Sequence, residues 1–275
     1  MSTPRRPPAR SSLPAPEVRR FRDELRAALR ATDDQGRVVA ASQWGVYAFY
    51  DYDGEPIYVG QTNERLGGRV GRHLTNQRSD AVAMRILDVF EVAEVELWPL
   101  WHLTPEKKTP EWKAAQTELD AVEYSAYLQA IANSRFRAIL NEKIPPVSTP
   151  IVLPPSYRFS VIDDEVRAER GHADVRIARR AETIARLAAV AHERGEVTPG
   201  LRRVLLIQAV RLAYLAAARL AYVEGRDEPD PAAIDMGQLV GNVLAEIDDP
   251  SGPTDQDDEL DLAPPTVEIN TRHGG

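Results

Sequence analysis

The sequence predicts an α/β protein: a small sheet-containing domain followed by an all-helical region. Three observations carry that expectation. Two aromatic and β-branched runs, residues 44–50 and 56–60, flank Asp53-Gly54, which is a hairpin turn signal. In residues 92–98, apolar Ala93, Val95 and Leu97 alternate with Glu94 and Glu96, the period of a half-buried strand. Beyond the break marked by Pro145, Pro146, Pro150, Pro154 and Pro155, the pattern is helical to about residue 247.

Each element follows in chain order. Residues 1–15 are rich in Pro, Arg and Ser and read as disordered, without the apolar core of a signal peptide. Residues 16–43 read as an N-terminal helix and linker. Val18, Phe21, Leu25, Ala28 and Leu29 fall at helical spacing, and Gly36 lies in the loop that follows. After the hairpin, the polar, Arg-rich stretch 64–76 predicts a helix opened by Gly67-Gly68, and a further helix is expected over 81–89. Pro99 ends the third strand. A lysine-bearing loop, 105–110, leads to a long helix over 111–134 and an irregular return over 135–141.

The first domain is thus expected over 44–144 and a Pro-rich linker over 145–160. The helical region, 161–248, should hold one charged helix over 163–194, an apolar helix over 199–224 and a third over 231–247. Thr198-Pro199 is a favourable cap and first-turn pair, and Gly225 a stop. Leu201, Leu205, Leu212, Leu215 and Tyr222 form the candidate seam of the apolar helix. Arg202, Arg203, Arg211 and Arg219 interrupt it and argue against a membrane span. Residues 249–275 read as an acidic disordered tail.

Composition narrows the chemistry. Cysteine is absent, which excludes disulfides and cysteine zinc sites and makes a reducing cytoplasm the expected location. The net charge of -8 first argues against nucleic acid. Yet eight acids between Glu246 and Asp261, with no Lys or Arg among them, equal the whole imbalance. A formally neutral body is compatible with a local basic site but not with a strongly basic, coating DNA binder.

The candidate site residues are dispersed along the first domain. With Asp53-Gly54 as the turn, Tyr47 falls opposite Gly60, and Tyr58 lies one diagonal step away on the same face. A phenol of ordinary pKa, about 10, is a poor base near neutrality and needs nearby positive charge. Arg69 and His73, four apart on the predicted helix, are placed to supply it. Arginine also suits a phosphate through its planar fork. Glu123 stands in an apolar helical stretch, where a carboxylate either reaches solvent or is held for a purpose such as a hard divalent metal; Glu118 competes for that role. Asn141 could orient a ligand or cap the return loop.

These residues together resemble the GIY-YIG nuclease superfamily. Gly45-Val46-Tyr47 stands for the first signature and Tyr58-Val59-Gly60 for the second, each with valine where isoleucine is usual. The stretch from Arg69 to Leu74 resembles the family's Arg-x-x-x-His helix, Glu123 its metal-binding glutamate, and the stretch from Phe136 to Asn141 its terminal asparagine segment. The resemblance implies a three-stranded antiparallel sheet flanked by helices. It also implies hydrolysis of DNA phosphodiesters with one divalent cation, Mg²⁺ or Mn²⁺, held by Glu123. Tyr47 would be the general base in contact with Tyr58 and His73, and Arg69 would steady the phosphate. By elimination among subfamilies, the expected setting is bacterial restriction or phage defence. A structure-specific repair nuclease, or a binding or recruiting protein with an inactive nuclease module, is the alternative. The apolar 199–224 helix is expected to pack within the chain or to pair two copies as a homodimer.

Overall fold

The computed structural model describes residues 14–75, 86–195 and 197–244. The expected disordered start, most of the helix expected over 81–89, the end of the last predicted helix and the acidic tail lie outside the described residues. At the centre is a four-stranded antiparallel sheet of order β2-β1-β3-β4: β1 Gly45–Tyr50, β2 Pro56–Thr62, β3 Glu94–Pro99 and β4 Tyr157–Ser160. Among the described residues seven helices join it: α1 Pro16–Ala28, α2 Leu66–Thr75, α3 Pro110–Asn133, α4 Asp164–Arg170, α5 Ala173–Arg194, α6 Pro199–Val223 and α7 Met236–Val240.

The strands form where alternation and turn chemistry demand it. β1 lies between β2 and β3 and is buried along its whole length. Gly54 closes the hairpin at φ +71°, a conformation that favours glycine. A bulge at Phe49/Tyr50 absorbs the remaining loop residues, and the register Tyr47↔Gly60 is the expected one. On one face Val46, Ala48 and Val59 pack with α3 residues such as Leu119 and Val122. On the other, Tyr47, Phe49, Val95 and Leu97 share a core with α1, α2, α5 and α6. Thr109 caps α3 by accepting from the Trp112 N–H at 3.2 Å, and Thr198 caps α6 through Leu201 at 3.0 Å.

The sequence expectation of three strands is corrected to four. β4 arises inside the stretch read as linker, where Tyr157 and Phe159 alternate with exposed Arg158 and Ser160. Only four residues long, it is too short to stand out beside five prolines. Similarly, the helix expected over 163–194 is two helices. Their break lies at Gly171-His172, where the chain passes so close to Tyr52 that a Cβ on Gly171 would sit 3.1 Å from its ring. His172 starts the second helix, its Nδ1 accepting from the Asp174 N–H at 3.3 Å. The third helix of this region is a single 3-10 turn, Pro231–Ala233, followed by the short α7.

The helical half is built into the sheet domain. Leu187, Leu201, Val204 and Ile207 are buried in the same core as Tyr47 and Phe49. Each such side chain contributes about 1.5–3 kcal/mol on burial, so these four together rival a typical domain's net stability of about 5–15 kcal/mol. α6 is long and apolar enough to cross a membrane by length and composition. In the fold, however, it buries Gln208 and Arg211 among polar partners as well as its apolar stripe, as a core helix does.

Polar contacts reinforce this union. Asp51, at the hairpin loop, is 1% exposed. Its Oδ1 accepts from the backbone of Asp53 and Glu55 at 2.9 and 3.1 Å, which shapes the loop. Its Oδ2 accepts from Arg176, Arg180 and Arg211 at 3.0, 2.8 and 2.9 Å. Burial works against ionisation of Asp51, but the three guanidiniums overcome it and hold its pKa below the usual range. Glu91 joins Arg180 at 3.1 Å. Arg176 and Arg180 of the charged helix, with Arg211, are therefore the clamp between α5, α6 and the hairpin.

Candidate active site

The two signature glycines are steric necessities. A Cβ on Gly45 would lie 2.6 Å from the Trp98 carbonyl oxygen and 2.7 Å from Leu66. One on Gly60 would lie 2.7 Å from Tyr47 Oη and 3.0 Å from the Tyr58 ring. The bare backbone of Gly60 lets the Tyr47 phenol lie across β2 beside Tyr58, with ring centroids 6.2 Å apart.

Helix α2 brings the next residues. It buries Leu66, Val70 and Leu74, four apart, which turns Arg69 and His73 toward the hairpin. His73 Nδ1 lies 3.2 Å from Tyr47 Oη, and its ring meets Tyr58 edge-on at 4.8 Å. Arg69 is solvent-exposed, yet close enough to both tyrosines to act on their titration. α3 contributes Glu123 from the other side of the sheet edge, buried, with the Gln61 backbone N–H directed at its carboxylate.

The electrostatics correct one expectation. His73 does not share the cationic role with Arg69: burial, and then Arg69 itself, push its pKa down to about 4, so the imidazole is neutral. A neutral imidazole can accept the Tyr47 hydroxyl proton at Nδ1 while Nε2 carries its own. Nor does the cation lower the phenol overall. Burial pushes Tyr47 above its ordinary value, with Arg69 pulling back only in part. Burial, Tyr47 and Glu123 push Tyr58 well above it. For Arg69, partial desolvation opposes the charge, but Tyr47, Tyr58 and Glu64 hold the guanidinium still more firmly protonated.

Glu123 is the carboxylate of this cluster. Burial and the neighbouring Asp120 raise its pKa to about 8, against the opposing pull of Arg69 and the Gln61 N–H. Glu118 is only partly buried and meets His102 at 2.6 Å, and it is Glu123 whose charge acts on Tyr47 and Tyr58. Glu123 makes no ion pair among the described residues, and no group of three or more His, Asp or Glu gathers there. The donors nonetheless suit a hard divalent cation: the buried Glu123 carboxylate, and the side-chain oxygen of Gln61, buried and without a hydrogen-bond partner. Phosphate and water oxygens would complete such a shell.

Asn141, expected to orient a ligand or cap the return loop, gives its side chain to β2. Its Oδ1 accepts from the Val59 N–H at 3.0 Å and its Nδ2 donates to the Val59 carbonyl at 2.8 Å. Leu140 donates to Ile57 at 2.8 Å. Residues 140–141 thus cover the outer edge of β2 and hold Tyr58 and Gly60 in position. Three site residues were missed in the sequence: Gln61, Asp120 and Gln116. Their signal, polar types on a strand and a helix face, is indistinguishable from ordinary surface residues until the elements meet.

Beside Arg69 is a polar cleft lined by Gln61, Thr62, Asn63, Glu64 and Gln116. The buried Tyr47 phenol beside half-buried Tyr58, a neutral histidine, the Glu123 carboxylate and the Arg69 guanidinium at the cleft suit displacement at phosphorus. The family model for the GIY-YIG catalytic domain matches residues 43–119. Residues 43–119 thus match the catalytic domain of the GIY-YIG nuclease superfamily, which suggests nuclease activity on DNA. The matched segment ends before Glu123, so the place of Glu123 rests on the geometry above. No curated protein and no solved structure matches the chain.

Proposed function

We propose that this protein is a cytoplasmic, divalent-metal-dependent endonuclease that hydrolyses DNA phosphodiesters, acting in restriction or phage defence. The observation that supports it is that Tyr47, Tyr58, Arg69, His73 and Glu123 come from four separate elements close enough to act on one another, with Arg69 lining the adjoining cleft.

In this reading Arg69 grips the scissile phosphate from the cleft wall. His73 takes the hydrogen of the Tyr47 hydroxyl, which leaves the phenol's lone pairs free for the attacking water. As the water oxygen bonds to phosphorus, the P–O bond to the leaving oxygen breaks and that oxygen takes a proton from solvent, while the water proton passes to Tyr47 and the phenol's own proton moves to His73 Nδ1. Tyr58 supports Tyr47 through ring contact. A divalent cation held by Glu123 would supply charge stabilisation at the phosphate. The exposed Leu220, Tyr222 and Val223 at the end of α6 motivate pairing of two copies, which would suit a double-strand break.

The test is incubation of the full chain with supercoiled plasmid and Mg²⁺, with and without excess chelator. Conversion to nicked or linear DNA only when the metal is free supports the proposal. No conversion with either Mg²⁺ or Mn²⁺ would leave a binding module with an inactive centre. Light scattering settles the pairing.

A further inference from the structure

The chain Gln116–Asp120–Gln61 has one end without a partner, the Gln61 side-chain oxygen, and the backbone N–H of the same residue is directed at Glu123. Asp120 accepts from Gln116 Nε2 and from Gln61 Nε2, each at 2.8 Å. An ionised carboxylate only accepts, so the Gln61 amide nitrogen must face Asp120. The amide is therefore locked in one orientation, with its oxygen directed away from Asp120. That oxygen is buried and lacks a hydrogen-bond partner. A buried acceptor left unsatisfied is costly, so such an atom implies an occupant. Gln61 is also the residue that joins two parts of the site. Its side chain lines the cleft beside Arg69, and its backbone N–H is directed at Glu123.

We propose that the side-chain oxygen of Gln61, oriented by Asp120, is a second protein donor to the hydrated divalent cation at Glu123. The inference rests on the metal-dependent nuclease reading. Hard cations such as Mg²⁺ and Mn²⁺ take neutral amide oxygens as well as carboxylates, either directly or through a bound water whose hydrogens need acceptors. Asp120 is then a positioning residue. It fixes which end of the amide faces the cation, and its negative charge adds attraction at short range.

Mn²⁺ binding to the full chain without DNA, followed by electron paramagnetic resonance, tests this independently of turnover. Gln61→Met keeps the side-chain length and removes the oxygen, and should weaken Mn²⁺ affinity by about 10–100-fold, the usual scale for groups that support a metal. Gln61→Glu also loses the amide hydrogens that reach Asp120 but keeps an oxygen, and should bind at least as tightly as wild type. A purely structural role for the Gln61–Asp120 bond would weaken both variants alike. Should Gln61→Met fail to fold, Gln61→Glu decides alone, and a tenfold loss there overturns the proposal. Unchanged affinity in Gln61→Met overturns it too, while wild type still binds Mn²⁺ and cuts plasmid. If wild type neither binds Mn²⁺ nor cuts, the nuclease reading itself falls.

Discussion

Tyr47 occupies the space that a side chain at residue 60 would take: a Cβ on Gly60 would stand 2.7 Å from the phenol oxygen and 2.8 Å from the carbon that bears it. Tyr47 has no exposed surface and is packed among Phe49, Tyr58 and His73, so it cannot retreat. Gly60→Ala should therefore displace the phenol. Overpacking of this kind costs about 1–3 kcal/mol, and a misplaced reacting group about 100-fold in rate. Urea denaturation and plasmid cleavage measure the two effects. Wild-type cleavage by Gly60→Ala would show that the phenol position does not matter.

Cation binding at Glu123 should depend on pH. Because its pKa is raised to about 8 without metal, the carboxyl is protonated below that value and must lose the proton to bind a cation. Apparent Mn²⁺ affinity should rise about tenfold per pH unit up to about 8 and then level off. The linkage to folding has the opposite sign. The metal-free folded state binds the extra proton between 4.5 and about 8, so this group lowers stability as pH climbs through that window. Glu123→Gln should remove both slopes. Titrations at pH 6, 7 and 9 that give one affinity would rule out Glu123 as the ligand.

Asp51 should be among the most costly positions to change. Asp51→Ala leaves Arg176, Arg180 and Arg211 buried without the carboxylate they share. Removing one side of a buried ion network costs about 3–5 kcal/mol. Equilibrium denaturation should show that loss, and a change below about 1 kcal/mol would mean that the arginines re-pair with Glu55 and Glu91.

A chain ending at Pro150 should not fold. It would lack β4, the clamp on Asp51 and the buried Leu187, Leu201, Val204 and Ile207. Proline breaks suggest a removable helical half in sequence, whereas the shared core makes it part of the domain. Circular dichroism with a cooperative melt for the truncated chain would contradict this.

The catalytic hairpin was legible because its determinants are local. Asp53-Gly54 marks the turn and period-2 alternation sets the faces, while the bulge at Phe49/Tyr50 makes up for the longer loop and keeps Tyr47 opposite Gly60. The i,i+4 spacing of Arg69 and His73 likewise gave one helix face. What escaped depends on distant partners. The neutral state of His73 follows from burial and from Arg69 beside it, neither of which a sequence displays. The arginines of α5 look solvated until Asp51 is brought beneath them. Asn141 offered polar chemistry of the expected type, and only the free edge of β2 reveals that Val59 takes up its side chain.

The central claim is that the phenol of Tyr47 takes part in bond cleavage. Single-turnover cleavage of DNA by wild type and Tyr47→Phe, with DNA affinity measured alongside, tests it most directly. The substitution removes one oxygen and leaves the ring in place between Phe49, Tyr58 and His73. The expected result is a rate lowered by about 10²–10⁴-fold with unchanged DNA affinity, the usual effect of removing a general base. A Tyr47→Phe enzyme that cuts at the wild-type rate would contradict the account.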